Sequence, residues 1–264
     1  MLILFGAFFA YPLVFAINNA FKPLNEIFLF PPRLFVQQPT MNNFRDLFTI
    51  MSRERITFSR YIFNTAFITA VGTFGHIIIA SMGAYVLSKY TFPGSRLFFK
   101  AVIVTLMFSV HVTAIPNFLI MNQLGWVDTY AAVIIPAFAM PIGFFLLKQF
   151  MDTVPMTLIE AAKIDGAKEF LIFWSIVMPT VKPAWLTVMV FSVQNLWNAR
   201  ASNFIFSEEL KTLPYALQQI QAGGVQRAGV GAAVTLFIMV VPLVVFISAQ
   251  SNIIETMASS GIKE

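Results

Sequence analysis

The sequence contains no cysteine, which removes disulfides, thiolate metal sites and cysteine nucleophiles from consideration. It is also poor in charge. Asp, Glu, Lys and Arg make up 11% of its 264 residues, against about 25% in an ordinary soluble domain. So few charges cannot cover a water-exposed surface, and the composition points to a membrane protein. No GxxxxGK followed by Ser or Thr occurs, so the chain has no phosphate-binding loop of that type. The formal net charge of +5 is modest and suggests no nucleic-acid partner. The start of the chain has no basic stretch and no small-residue cleavage pattern, so it does not read as a signal peptide.

What the chain has instead is apolar length. Hydrophobic residues make up 58% of it, and six windows carry no Asp, Glu, Lys or Arg: Met1–Phe21, Tyr61–Ser88, Ala101–Val127, Thr129–Leu147, Pro183–Ala199 and Ala228–Ile254. A spanning helix needs about 17–25 mostly apolar residues, so all six qualify on length. The spans are expected near 1–21, 62–88, 101–121, 129–148, 183–199 and 230–252, within a single all-α transmembrane domain covering 1–264. Pro183–Ala199 is the least apolar of them, because Gln194, Asn195 and Asn198 fall in its second half. Phe170–Val181 is uncharged but short, and reads as an interfacial or buried helix.

Six spans place both termini on one side. Orientation should follow the Lys and Arg counts of the connections. With the termini inside, the inner side holds Lys89, Arg96, Lys100, Lys148, Lys163, Lys168, Lys182 and Lys263. The outer side holds Lys22, Arg33, Arg45, Arg53, Arg55, Arg60, Arg200, Lys211 and Arg227. Eight against nine decides nothing. In the 22–60 connection, Thr40 or Asn42 is a favourable type to begin a short helix.

The connection 152–182 is the charged segment of interest. Pro155 suits the first turn of a helix. Leu158, Ile159, Ala161, Ala162 and Ile164 follow in a helical pattern, and Asp165-Gly166 is a turn signal with Gly166 suited to a positive φ. A second apolar helix is expected from about Lys168 to Met178, broken by Pro179 and Pro183. From pattern alone this is either a partner-binding element or an ordinary surface helix.

The spacing is more informative. Glu160-Ala161-Ala162 is followed by three residues, Gly166, nine residues, Ile176, one residue, then Met178-Pro179. This resembles the EAA loop of importer-type ABC transporter permeases, with Met178 in place of the usual Leu. "NQLGWVDTYAAVIIP", "FMDTVPMTLIEAAKIDGA", "FSVQNLWN", Gln250 and the "MASSGIKE" tail resemble the maltose-type carbohydrate-uptake branch. The resemblance covers the chain from the second span onward and is weakest over 22–60.

The resemblance implies a six-helix permease of the bacterial cytoplasmic (inner) membrane, with both termini cytoplasmic. It implies a cytoplasmic loop, 152–182, that docks on an ATP-binding subunit. The coupling residues it implies are Glu160, Ala161, Ala162, Asp165, Gly166, Ile176 and Pro179. The implied partners are a second homologous permease subunit, two ATP-binding subunits, an extracytoplasmic solute-binding protein, a saccharide and the lipid bilayer. No cofactor or metal is expected on this chain, ATP being bound by the partner, and the chain is not expected to be an enzyme by itself. The rival readings are an importer permease for a non-sugar solute such as a peptide, a secondary carrier, and a non-transporting scaffold. A carrier should hold paired ionisable groups in its spans, and these windows hold none.

Asn64, Asn117, Gln194, Asn195 and Asn198 are candidates for a sugar path, since uncharged amides suit hydroxyl-rich ligands. Helix-to-helix packing explains them equally well. His76 and His111 lie mid-span without carboxylate partners and read as helix-to-helix hydrogen-bonding groups. Trp126, Trp185 and Trp197 read as interfacial anchors rather than sugar-stacking rings.

Overall fold

The computed structural model describes residues 1–53, 56–201 and 203–261. Arg55 and Lys263 lie outside the described residues, and so do the side chains of Arg53 and His111. Among the described residues every regular element is helical. The helices are α1 (Leu2–Phe21), α2 (Leu24–Ile27), α3 (Asn42–Arg53), α4 (Phe58–Lys89), α5 (Ser95–Thr105), α6 (Val110–Gln123) and α7 (Ala131–Phe138). They continue with α8 (Pro141–Asp152), α9 (Met156–Ile164), α10 (Glu169–Ile172), α11 (Met178–Thr180), α12 (Lys182–Trp197), α13 (Leu213–Ala222) and α14 (Ala228–Gly261). A π-helical turn, Phe173–Val177, joins α10 to α11.

Among the described residues four helical stretches are long and apolar enough to cross a membrane: Ile3–Phe21, Phe58–Lys89, Ala131–Asp152 (α7 and α8 together) and Val225–Gln250. Glu169–Thr180 and Lys182–Trp197 meet the same test only together, across an 81° bend, which makes up to five. The sequence windows are therefore corrected at two places. The window 101–121 is not one helix but α5 and α6, of 11 and 14 residues. Each is shorter than the roughly 17 residues a straight span needs. Thr105 turns its hydroxyl back onto the Val102 carbonyl at 2.6 Å. Ser109, a favourable type to open a helix, has its carbonyl accept from Val112 N–H and so begins α6. A count of charges is blind to such a stop. The fifth window is likewise only 16 residues as α12, with its approach helix sharply bent.

The chain divides into two compact units. The first comprises residues 1–66 and 197–243. Its core gathers Leu47, Phe58, Tyr61, Trp197, Leu213, Ile220 and Val234. Trp197 is 5% exposed and donates Nε1–H to the Ile238 carbonyl at 2.9 Å, so it is a core residue rather than an interfacial anchor. The expected short helix in 22–60 is present as α3, with Thr40 Oγ1 accepting from Asn42 N–H at 3.1 Å.

The second unit comprises residues 67–196 and 244–264. Here α4 is the packing centre. A Cβ on Gly75 would lie 2.1 Å from the Phe138 ring, and one on Gly83 2.7 Å from the Phe144 ring. Glycine at these positions is what lets the two aromatic rings seat against the α4 backbone. A cluster of Ala80, Ala84, Tyr85, Leu147, Ile159, Ile172 and Val177 continues this packing toward residues 152–182.

Candidate functional site

Segment 152–182 folds as a helix, a turn and a second helix. Pro155 precedes α9 as its N-cap rather than sitting in its first turn. The helix closes after Ile164. Gly166 has φ +82°, its N–H bonds the Lys163 carbonyl at 3.0 Å, and Ala167 N–H bonds the Ala162 carbonyl at 2.9 Å. This pair of bonds satisfies carbonyls that the helix end leaves open. A Cβ on Gly166 would meet nothing within 4 Å, so backbone conformation alone demands glycine there. Pro179 does not break the second helix. The preceding turn widens, with Met178 N–H reaching the Phe173 carbonyl, and a wider turn absorbs a residue that lacks its own donor. The break comes at Val181 instead, with φ −95° and ψ 23°.

The faces of α9 differ. Ile159 and Ala162 are buried in the core of this unit, while Met156, Leu158, Glu160, Ala161, Ile164 and Asp165 are exposed. Ala162 therefore packs inward and does not stand beside Ala161. Gly166 and Pro179 are exposed, and Ile176 is half-buried against the core.

A polar clasp, not anticipated from the sequence, holds this segment to the end of α4. Lys163 Nζ lies 2.6 Å from Glu169 Oε1. Tyr85 donates its hydroxyl to Glu169 Oε2 at 3.1 Å. Lys163 also donates to the Tyr90 hydroxyl at 3.3 Å, and Lys89 donates to the Val154 carbonyl at 2.6 Å. The hydrogen bond to Glu169, then the one to Tyr90, raises the Lys163 pKa above the usual lysine value. The hydrogen bond from Lys163 lowers the Glu169 carboxyl below the usual carboxylate value. The sequence signal for it was faint: an aromatic–basic end to a span, "YVLSKY".

A second feature lies within the same unit. His76, 1% exposed, has Nδ1 2.6 Å from Ser192 Oγ and Nε2 3.2 Å from the Met140 carbonyl. A ring with its proton on Nε2 satisfies both partners, donating to Met140 and accepting from Ser192. This is the helix-to-helix bonding expected of His76. Gly143 admits the ring, since a Cβ there would fall 2.3 Å from it. Beside it lies a cavity of about 340 Å³ lined by His76, Met140, Phe191, Ser192, Gln194 and Asn195, among others. Two of the five amides of the sequence analysis thus meet at one cavity. Asn117 and Asn198 are exposed and lie outside its lining. Asn64 is fully buried, its amide donating to the Glu209 and Lys211 carbonyls at 2.9 and 2.8 Å, which makes it a brace for that turn.

Residues 3–256 match the family described as binding-protein-dependent transport system inner membrane component. The chain belongs to this family. The permease is 30% identical over 261 residues to a protein of Caldicellulosiruptor sp. (strain Rt8B.4) named as an ABC transporter permease protein, ORF2, covering 96% of this chain and 91% of that one. It is 29% identical to the arabinooligosaccharides transport system permease protein AraQ of Halalkalibacterium halodurans, covering 98% of this chain and 93% of the relative. In fold it is similar to the crystal structure of a bacterial ABC transporter involved in the import of the acidic polysaccharide alginate. The TM-score is 0.78 at 22% identity, covering 95% of this chain and 92% of that one. The all-helical permease fold expected from the EAA spacing is therefore the fold of this chain.

Proposed function

We propose that the permease forms half of the translocation pore of an ATP-driven importer for a sugar or oligosaccharide. In this reading residues 152–182 couple it to a separate ATP-binding subunit. The observation that carries the reading is the outward face of α9: a carboxylate, Glu160, beside Ala161 and exposed Met156, Leu158 and Ile164. An isolated helix face in water has no reason to display that much apolar surface, whereas a docking face does. The complete assembly would hold a second homologous permease, two ATP-binding subunits and an extracytoplasmic solute-binding protein, with both termini of this chain cytoplasmic.

The saccharide class is supported by the names of relatives, which include an arabinooligosaccharide permease and a diacetylchitobiose uptake permease. The cavity beside His76 agrees with it. Its lining offers amides, a hydroxyl and an aromatic ring, and no Asp, Glu, Lys or Arg. Such groups suit a neutral, hydroxyl-rich solute, and Gln194 and Asn195 are the residues assigned to its path. A non-sugar importer and a secondary carrier are less well matched, the carrier because these helices hold no paired ionisable groups at the cavity.

The test is co-expression with the candidate ATP-binding subunit and ATP-driven uptake into vesicles. Arabino-oligosaccharides, diacetylchitobiose and a dipeptide serve as probes. Co-purification with saccharide uptake is expected, and dipeptide uptake alone would move the assignment to another solute. Because the chain lacks cysteine, single thiols report orientation cleanly. Lys168→Cys should react only after permeabilisation and Asp46→Cys from outside. Reversed labelling would overturn the orientation.

A further inference from the structure

We infer that Glu169 is a positioning residue that fastens the coupling helix α9 to α4, so that α9 and α4 move as one piece. This rests on the reading of α9 as the docking helix. The geometry is two-ended. Before α9 begins, Lys89 holds the Val154 carbonyl at 2.6 Å. After α9 ends, Glu169 grips Lys163 of α9 with one oxygen at 2.6 Å and the Tyr85 hydroxyl of α4 with the other at 3.1 Å. All of the α4-side groups, Tyr85, Lys89 and Tyr90, fall within the last turn and a half of the helix or just past it.

Between these two ties lies an apolar seat. Ile159 and Ala162 are buried with Ala80, Ala84 and Tyr85, and the Tyr85 ring packs on Phe173 at 5.4 Å. An apolar seat alone allows sliding, because dispersion and the hydrophobic effect have little direction. A carboxylate shared between a lysine and a tyrosine is directional, and charge-assisted hydrogen bonds are among the stronger ones. The seat therefore supplies the adhesion and Glu169 supplies the register. Nine residues before Tyr85 on α4, roughly 14 Å along the helix axis, stands His76 at the wall of the cavity. A displacement of α9 held in register is thereby delivered to the helix that lines the cavity.

The experiment uses the assembled complex with its ATP-binding subunits. A single thiol at Met82→Cys, an exposed position on α4, carries a spin or fluorescent probe that reports the change on adding a non-hydrolysable ATP analogue. Two variants remove the tie with minimal change of shape: Glu169→Gln, and Tyr85→Phe, which keeps the ring packing. The expected result is retained co-purification with a nucleotide-dependent probe response reduced at least about fivefold, the lower end of ordinary inter-site coupling. The charge exchange Lys163→Glu with Glu169→Lys should restore part of the response. A full response in both variants overturns the inference and leaves the docking reading intact. Loss of co-purification in both, at normal membrane levels, also overturns it, since the clasp would then merely shape the docking face. No co-purification of the unmodified chain would overturn the docking reading itself.

Discussion

Two charged regions of this permease use the same residue types in opposite ways. In residues 18–43 and 205–212 three charges, those of Lys22, Glu26 and Lys211, are turned inward. Lys22 is 2% exposed, with its ammonium bonded to Asn19 Oδ1 at 2.8 Å and the Arg33 carbonyl at 2.5 Å. Glu26 accepts from Gln37 N–H at 2.8 Å and Gln38 N–H at 3.4 Å. Lys211, 5% exposed, bonds the Ile205 carbonyl at 2.5 Å. In residues 156–169 the charges of Glu160, Asp165 and Lys168 are displayed to the outside. The first region spends charge on satisfying its own irregular backbone, which a chain without regular hydrogen bonds requires. The second leaves charge available to another molecule. Setting such cations aside does not decide the Lys and Arg count: Lys22 and Lys211 in the outer tally and Lys89 in the inner one all donate to carbonyl groups, and the charge rule concerns free cations at the membrane surface.

The comparison is broken or sharpened by four substitutions, taken from the largest expected loss of stability to none. Lys22→Met leaves two acceptors, Asn19 Oδ1 and the Arg33 carbonyl, without their donor, and hydrogen bonds to charged groups contribute about 1.5–3 kcal/mol each. A drop of that order in unfolding free energy is expected in detergent, and an unchanged melting curve would contradict the inward role. Gly166→Val forces a β-branched residue to φ +82°; strain of this kind costs about 1–3 kcal/mol. It should loosen the end of α9 and reduce both co-purification and uptake.

The third is Glu169→Gln, read through pH by hydrogen exchange of α9. Because the folded carboxyl is lowered, the link to Lys163 is present above the usual carboxylate range and is lost as pH falls through the lowered value. Because the ammonium is raised, the alkaline loss comes only as pH climbs through a value above that of free lysine. The substitution should abolish the acid limb, and its persistence would assign that limb to another group. The fourth, Glu160→Ala, should leave stability within about 0.5 kcal/mol, as exposed positions do. Uptake should weaken nonetheless if, as proposed, the lost group faces the partner. Normal uptake would place Glu160 on an ordinary surface.

Much of the architecture was open to reading before the structure. Sparse charge, long apolar windows and the spacing from Glu160 to Pro179 led to an all-helical membrane permease, and α1, α4 and α14 lie where their windows lie. The end of α9 at Gly166 was legible because a positive φ leaves a residue-type mark. The division of 101–121 was not, since Thr105 and Ser109 are as apolar in a charge count as their neighbours. Nor was the widened turn that carries Pro179 through a helix.

By itself, then, the sequence determined the properties that add up residue by residue along the chain: hydropathy, helix length, the glycine turn and the family pattern. Only the tertiary structure decided which way each polar group points. It set Ala162 inward and Ala161 outward, joined His76 to Ser192 across 116 residues, and brought Glu169 to Tyr85 from 84 residues away. The reason is physical. Transfer from water to lipid is close to a sum over local surface, whereas a hydrogen bond requires two groups to meet within about 3 Å at a set angle. That meeting is fixed by how helices pack, through contacts such as Phe138 against Gly75, and a one-dimensional pattern does not contain it.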